Sequence, residues 1–124
     1  MILGLGLDLL SIPRLEAALE RHPRFKERVF TEAERRACEK KSAPFGSFAA
    51  RFAAKEAAMK ALGTGWGQGV GWLDIEVIGG MGRPPGLTFH GAAARRFEAM
   101  GGATVHVSMT HEKEMAAALV IIEG

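Results

Sequence analysis

Apolar residues alternate with small or acidic residues over the first ten positions of the chain. In MILGLGLDLL, the leucines at positions 3, 5, 7 and 9 share one face of an extended segment, and Gly4, Gly6 and Asp8 share the other. This pattern predicts a buried strand. Because the strand begins at Ile2, we expect no signal peptide ahead of it.

Capping signals mark the helices of the first half. Ser11 can cap a helix, and Thr31 with Glu34 has the spacing of a capping box. Gly63 follows the longest helical segment and is a suitable C-terminal glycine. Together these signals predict helices over about residues 12–21, 23–29, 32–41 and 45–62.

Strands and glycine-rich turns dominate the second half. The segments GTGWGQGVG and GGMGRPPG predict turns, and the segments around them predict strands over 72–78, 87–90, 104–110 and 114–123, with a helix over 92–100. The AAALVII run indicates that the last strand is buried on both faces. We therefore expect residues 1–124 to form a single α+β domain, with N-terminal helices packed on an antiparallel sheet.

Composition narrows the class of protein. The chain has 124 residues, a formal net charge of +2 and one cysteine, Cys38, which excludes an intrachain disulfide and favours a reducing cytoplasm. No apolar run approaches the about 18 residues of a membrane helix. Positive charge is concentrated in the first half, which indicates an acidic partner for that half.

The long helix carries charges among alanines and large apolar residues, and two interpretations of them are open. Glu56 and Lys60, four residues apart, can form an ordinary local ion pair. Alternatively, Glu56 holds a metal ion together with Asp8, and Lys60 holds a phosphate near the glycines that follow the helix. Two carboxylates, a lysine and glycines favour magnesium-assisted handling of a phosphate ester.

Two rival functions use some of the same features. A metal-dependent nuclease also needs Asp, Glu and Lys, but its lysine commonly follows the glutamate more closely. A basic adaptor protein, which binds a partner without catalysing a reaction, would use only the arginines of the first two helical segments. The same arginines are also typical of a solvent-exposed helix face. Phe25 is the one aromatic residue among those arginines, so we do not expect nucleic acid to bind.

Four segments, in the same order over essentially the whole chain, resemble holo-acyl-carrier-protein synthase, the small type of 4′-phosphopantetheinyl transferase. They are GLGLDLLSIPRLEAAL, FTEAE, RFAAKEAAMKALGTG and HVSMTHEKEMAAALVIIE. The resemblance implies an α+β fold and a homotrimer with active sites between subunits. It also implies transfer of phosphopantetheine from coenzyme A to a serine of apo acyl carrier protein, with release of 3′,5′-ADP, in cytoplasmic fatty acid biosynthesis.

The resemblance also implies roles for individual residues. Asp8 and Glu56 would bind Mg²⁺, and Lys60 would contact the pyrophosphate, with Glu56 and Lys60 as the catalytic pair. Coenzyme A would meet Arg51, Lys60, Gly63, Gly65, Pro84 and His106. The acidic carrier would dock on Arg14, Arg21, Arg24, Phe25 and Arg28. The base that removes the serine proton stays open among Glu56, His106 and a metal-held water.

Overall fold

A three-stranded sheet, a two-stranded hairpin and five α-helices make up the described part of the chain. The computed structural model describes residues 1–65, 68–80 and 82–124. In chain order the elements are β1 (Ile2–Ser11), α1 (Ile12–Arg21), α2 (Phe25–Val29), α3 (Glu32–Glu39), α4 (Pro44–Leu62), a 3₁₀ turn (Trp72–Asp74), β2 (Ile75–Ile78), β3 (Gly86–Phe89), α5 (Gly91–Ala99), β4 (Thr104–His111) and β5 (Met115–Glu123).

The larger sheet brings the two ends of the chain together. Its strands run in the order β1–β5–β4 with antiparallel pairing throughout, and Asp8 of β1 lies opposite Ala118 of β5. Strands β2 and β3 form a separate antiparallel hairpin. The predicted α+β class with an antiparallel sheet is therefore confirmed.

The predicted capping residues do begin and end the helices. The Ser11 hydroxyl accepts a hydrogen bond from the Arg14 backbone N–H at 3.4 Å. Thr31 and Glu34 form the reciprocal capping box, with bonds of 3.2 and 2.8 Å. Gly63 ends α4 in the left-handed conformation, at φ 73°, which glycine adopts without steric cost.

Helix α4 is covered on more than one side, as its alanine-rich sequence predicts. Most of its side chains are buried, and both hydrophobic clusters of the core include α4 residues. The helix lies against the face of β1 that carries Gly4 and Gly6. Within the described residues, no helix, α4 included, combines the length and hydrophobicity needed to cross a bilayer.

The leucine face of β1 is exposed, so the prediction of a buried strand is wrong for that face. Leu5, Leu7 and Leu9 are 61, 64 and 66% exposed. The reason is that α4 packs on the opposite face, where glycines let its backbone come close. The last strand follows the same rule: alternate β5 residues are buried, and Leu119 on the outer face is 36% exposed. The prediction that β5 is buried on both faces is therefore also wrong.

The hairpin begins later than the sequence predicts. Residues 72–74 form a 3₁₀ turn, and the strand itself covers only Ile75–Ile78. The Asp74 carboxylate accepts the Gly71 backbone N–H at 3.0 Å, which favours the turn over an extended strand at these positions. Gly67 of the first glycine-rich segment and Met81 of the second lie outside the described residues.

We predict that Gly6→Ala destabilises the fold severely. A Cβ atom at Gly6 would lie 1.8 Å from the Ala57 carbonyl oxygen, and the α4 backbone must move to admit it. The expected loss is about 3 kcal/mol, the upper end for overpacked sites, in the free energy of unfolding measured by denaturant at one protein concentration. Gly71→Ala is the control, since its Cβ meets nothing nearer than 3.9 Å. Equal stabilities of the two variants would contradict this close packing.

Candidate active site

Asp8, Glu56 and Lys60 converge where β1 crosses α4. A Cβ at Gly4 would lie 2.0 Å from the Ala61 carbonyl oxygen, and one at Gly6 would lie 1.8 Å from that of Ala57. The strand and the helix therefore run in opposite directions, and two residues along β1 correspond to four residues along α4. Asp8 is the next residue on this face of β1. Helical side chains lean toward the helix N-terminus, which directs the Lys60 side chain toward Asp8.

Lys60 forms its ion pair with the strand. Its Nζ lies 3.3 Å from Asp8 Oδ1 and donates a hydrogen bond to the Leu7 carbonyl at 2.8 Å. The local ion pair with Glu56, the simpler interpretation of the helix sequence, is therefore wrong about the partner. The reason is that strand β1 offers the ammonium group two acceptors: the carboxylate of Asp8, 52 positions away in sequence, and the carbonyl of the adjacent Leu7.

Glu56 is a half-buried carboxylate beside another acid. Burial raises the pKa of Glu56, the Asp8 carboxylate raises it further, and the Lys60 ammonium lowers it. Two carboxylates of like charge thus share a small region with one compensating lysine. Such a region favours a further cation, because the cation would remove the repulsion that burial strengthens.

The carboxylates of Asp8 and Glu56 suit a magnesium ion, which takes few ligands from the protein, better than a metal ion whose ligands are all protein side chains. Among residues 1–65, 68–80 and 82–124, no group of three or more His, Cys, Asp or Glu side chains could hold a metal. Magnesium, however, usually takes one or two carboxylates and completes its octahedral shell with water and substrate phosphate oxygens. Asp8 and Glu56 are two carboxylates, the number that such a site takes from the protein.

A second cationic site surrounds Arg51. The Arg51 side chain is buried, its Nη1 donates to Ser47 Oγ at 2.6 Å, and its Nε has no hydrogen-bond partner among the residues that the structure describes. It lines a cavity of about 110 Å³ together with Lys41, Gly80 and His111. Since buried guanidinium donors are normally satisfied, the free Nε indicates a site for an anionic group.

His106 and His111 lie in different surroundings in the structure. His106, which the resemblance assigns to coenzyme A, lies on the outer face of β4, and its Nε2 is 2.6 Å from Glu123 Oε1. His111, which the sequence analysis did not select, lies beside Arg51 instead. The signal that could have found it is its position at the end of β4, next to a turn, where a side chain can reach over the sheet edge.

The glycines and the proline predicted to meet coenzyme A lie in two different parts of the chain. Gly63 and Gly65 follow the helix C-terminus with positive φ values of 73° and 53°. Pro84 is exposed in the turn between β2 and β3. The same turn brings Gly80 over Arg51, since a Cβ there would lie 3.3 Å from Arg51 Nη2.

Four of the five residues predicted to dock a partner line one concavity. Arg21, Arg24, Phe25 and Arg28 surround an open groove of about 440 Å³ between α1 and α2. Phe25 is half-buried and stacks on Phe52, with ring centroids 6.1 Å apart, so the Phe52 ring holds the Phe25 ring in place. The fifth residue is Arg14, which is exposed on the same helix as Arg21 and lies outside the residues that line the groove.

The chain is similar in sequence to known proteins over nearly its whole length. The sequence profile of the 4′-phosphopantetheinyl transferase superfamily matches residues 4–119. A holo-[acyl-carrier-protein] synthase of Koribacter versatilis is 47% identical over 124 residues, covering 99% of both chains.

Solved structures show the same fold. A holo-[acyl-carrier-protein] synthase of Neisseria meningitidis superposes with a TM-score of 0.88 at 31% identity, over 100% of both chains. One from Bacillus anthracis, in complex with CoA (3′,5′-ADP), has a TM-score of 0.80 at 37% identity, over 98% of this chain and 96% of that one. The chain thus belongs to the holo-[acyl-carrier-protein] synthase family within the 4′-phosphopantetheinyl transferase superfamily.

Proposed function

We propose that this chain transfers the 4′-phosphopantetheine group of coenzyme A to a serine of apo acyl carrier protein, with Mg²⁺, and releases 3′,5′-ADP. The reaction would support fatty acid biosynthesis in the cytoplasm, where the reducing environment suits the free thiol of buried Cys38. The observation that carries the proposal is the convergence of Asp8, Glu56 and Lys60 at one crossing of strand and helix.

The three side chains divide the work on the pyrophosphate. Asp8 and Glu56 would hold Mg²⁺, which when bound supplies neutralising charge to the pyrophosphate oxygens. The serine oxygen forms a bond to the phosphorus next to pantetheine while the serine proton passes to a base, and the bond from that phosphorus to the 3′,5′-ADP oxygen breaks. Lys60, half-exposed and held in place by Asp8, stabilises the negative charge that grows on the departing oxygen.

The Arg51 cavity would receive another phosphate of coenzyme A. Arg51 is nine residues from Lys60, which on an α-helix places the two side chains about 180° apart. The anion sites of one chain therefore face different sides of α4. A coenzyme A molecule that uses both needs α4 of one subunit and the Arg51 cavity of another, which supports active sites between subunits.

The exposed apolar face of the sheet supports a homotrimer. Leu5, Leu7 and Leu9 of β1 lie beside Leu119 and Met115 of β5, and all are exposed in the single chain. Contiguous apolar surface of this kind marks an interface in most soluble proteins. Copies of the same sheet would cover this surface.

The first experiment is mass spectrometry of apo carrier after incubation with the chain, coenzyme A and Mg²⁺. We expect a phosphopantetheine adduct, and Glu56→Gln should lower kcat about 100-fold or more while the circular dichroism stays unchanged. Glu98→Gln, on exposed α5, is the control. No adduct with the wild-type chain would refute the transferase, and wild-type rates for Glu56→Gln would refute its site.

Docking of the carrier depends on the groove between α1 and α2. Arg21→Glu should raise the KM for the acidic carrier at least about tenfold, because a like charge opposes docking, and should leave the KM for coenzyme A unchanged. Arg95→Glu on α5 makes the same charge change at a distance from the groove and should alter neither KM. Equal effects of Arg21→Glu on both substrates would show that the groove is not a separate docking surface.

Assembly and activity should fail together. Leu119→Lys places a charge in the middle of the outer sheet face, so we expect light scattering to show single chains where the wild type has three, and transfer should be lost with the trimer. Leu73→Lys changes an exposed leucine of the 3₁₀ turn and should keep both. A monomeric Leu119→Lys variant with full activity would rule out composite sites.

A further inference from the structure

Lys55 is a completely buried cation that the proposed reaction does not use. It lies one residue before Glu56 on α4, and its side chain is 0% exposed. The ammonium pairs with Glu34 Oε1 at 2.8 Å and donates to the carbonyls of Trp72 at 3.0 Å and Ile75 at 2.5 Å. A lysine has three N–H donors, so every one of them is satisfied by a protein acceptor.

Glu34 is equally buried and equally satisfied. Its Oε1 accepts the Thr31 backbone N–H at 2.8 Å as part of the capping box of α3. Its Oε2 accepts the backbone N–H of Val77, also at 2.8 Å. One carboxylate thus joins α3, α4 and β2.

The pair meets the edge of β2 that β3 leaves open. Within the described residues β2 pairs with β3 alone, so its other edge presents backbone groups without a strand partner. In an extended strand the backbone groups of residues i and i+2 point to the same edge, and here these are the Ile75 carbonyl and the Val77 N–H. Lys55 meets the first and Glu34 the second, as a neighbouring strand otherwise would.

The open edge of β2 explains why the buried pair is charged. Buried ion pairs can often be replaced by apolar residues of similar volume without loss of stability. Here, however, an apolar pair would leave the Ile75 carbonyl and the Val77 N–H without the hydrogen bonds that Lys55 and Glu34 make, which costs stability. Lys55 and Glu34 are therefore suited to fixing the position of β2.

The position of β2 determines where the following turn lies. Gly79 and Gly80 follow β2 directly with φ values of 77° and 89°, and the Gly80 N–H donates to the Arg83 carbonyl at 3.0 Å. A Cβ at Gly80 would lie 3.3 Å from Arg51 Nη2, so the turn backbone forms one wall of the Arg51 cavity. Exposed Pro84 belongs to the same turn.

We infer that Lys55 and Glu34 are positioning residues for coenzyme A: they hold the open edge of β2, and so set the position of Gly80, whose backbone forms one wall of the Arg51 cavity. This rests on the proposed function and deepens it, because it assigns a role in nucleotide recognition to residues that touch no substrate. The pair acts on the remote phosphate and nucleotide end of coenzyme A, away from the reacting phosphorus.

The test compares coenzyme A with 3′-dephospho-coenzyme A in Lys55→Met and Glu34→Gln. We expect each variant to raise the KM and the calorimetric Kd of coenzyme A about tenfold, to change kcat less than twofold and to leave the KM for the carrier unchanged. The preference of the wild type for coenzyme A over the dephospho form should shrink, because a displaced turn no longer holds Arg51 against the phosphate. A general loss of folding would not produce this split.

Arg36→Met is the matched control, since it removes the exposed pair Glu32–Arg36 from the same helix α3 and should change none of these values. If Lys55→Met does not fold, Glu34→Gln decides by the same measurements, because it keeps the side-chain shape and one acceptor. An unchanged Kd and an unchanged preference in a folded variant would overturn the inference. Failure of the wild-type chain to modify carrier would instead overturn the proposed function.

Discussion

The contact between two glycines of β1 and two alanines of α4 constrains everything else in this molecule. Gly4 and Gly6 let the strand approach so closely that any side chain at these positions would collide with the carbonyls of Ala61 and Ala57. The approach leaves Asp8, the next residue on that face, beside Glu56 and Lys60. The acidic and basic groups of the candidate site are thus brought together by a backbone contact that needs no ligand.

The same contact leaves the other face of the sheet without cover. Because α4 takes the glycine face, Leu5, Leu7 and Leu9 must point outward, and the chain by itself exposes an apolar surface that most soluble proteins bury. Helix α4 also presents its two anion sites on opposite sides. Both features are expected of a subunit whose active site is completed by a second copy of the chain, which is the arrangement that we propose.

Local signals in the sequence predicted local structure well. Ser11, the Thr31–Glu34 box and Gly63 fixed helix ends because each satisfies or terminates backbone hydrogen bonds within a few residues. The association of Asp8 with Glu56 could also be anticipated from residue types, since two carboxylates and a lysine beside glycines favour one kind of chemistry.

Contacts between distant parts of the chain could not be predicted in the same way. Alternation identifies two faces of β1 but does not say which of them a helix will cover, and in the structure α4 covers the glycine face. The spacing of Glu56 and Lys60 indicated a local pair, whereas the lysine pairs with a strand 52 residues away. Lys55 gave no local signal, because its partners are the Glu34 carboxylate and two backbone carbonyls that belong to other elements.

The most direct test of the account is the pKa of Glu56, measured by NMR titration of the metal-free chain. The convergence of three side chains predicts opposite shifts in two variants. Asp8→Asn should lower the pKa of Glu56, because it removes a neighbouring negative charge, and Lys60→Met should raise it, because it removes the compensating positive one. Lys40→Met, at the end of α3, should leave it unchanged. If neither Asp8→Asn nor Lys60→Met moves the pKa of Glu56, the three groups do not share a site and the account is contradicted.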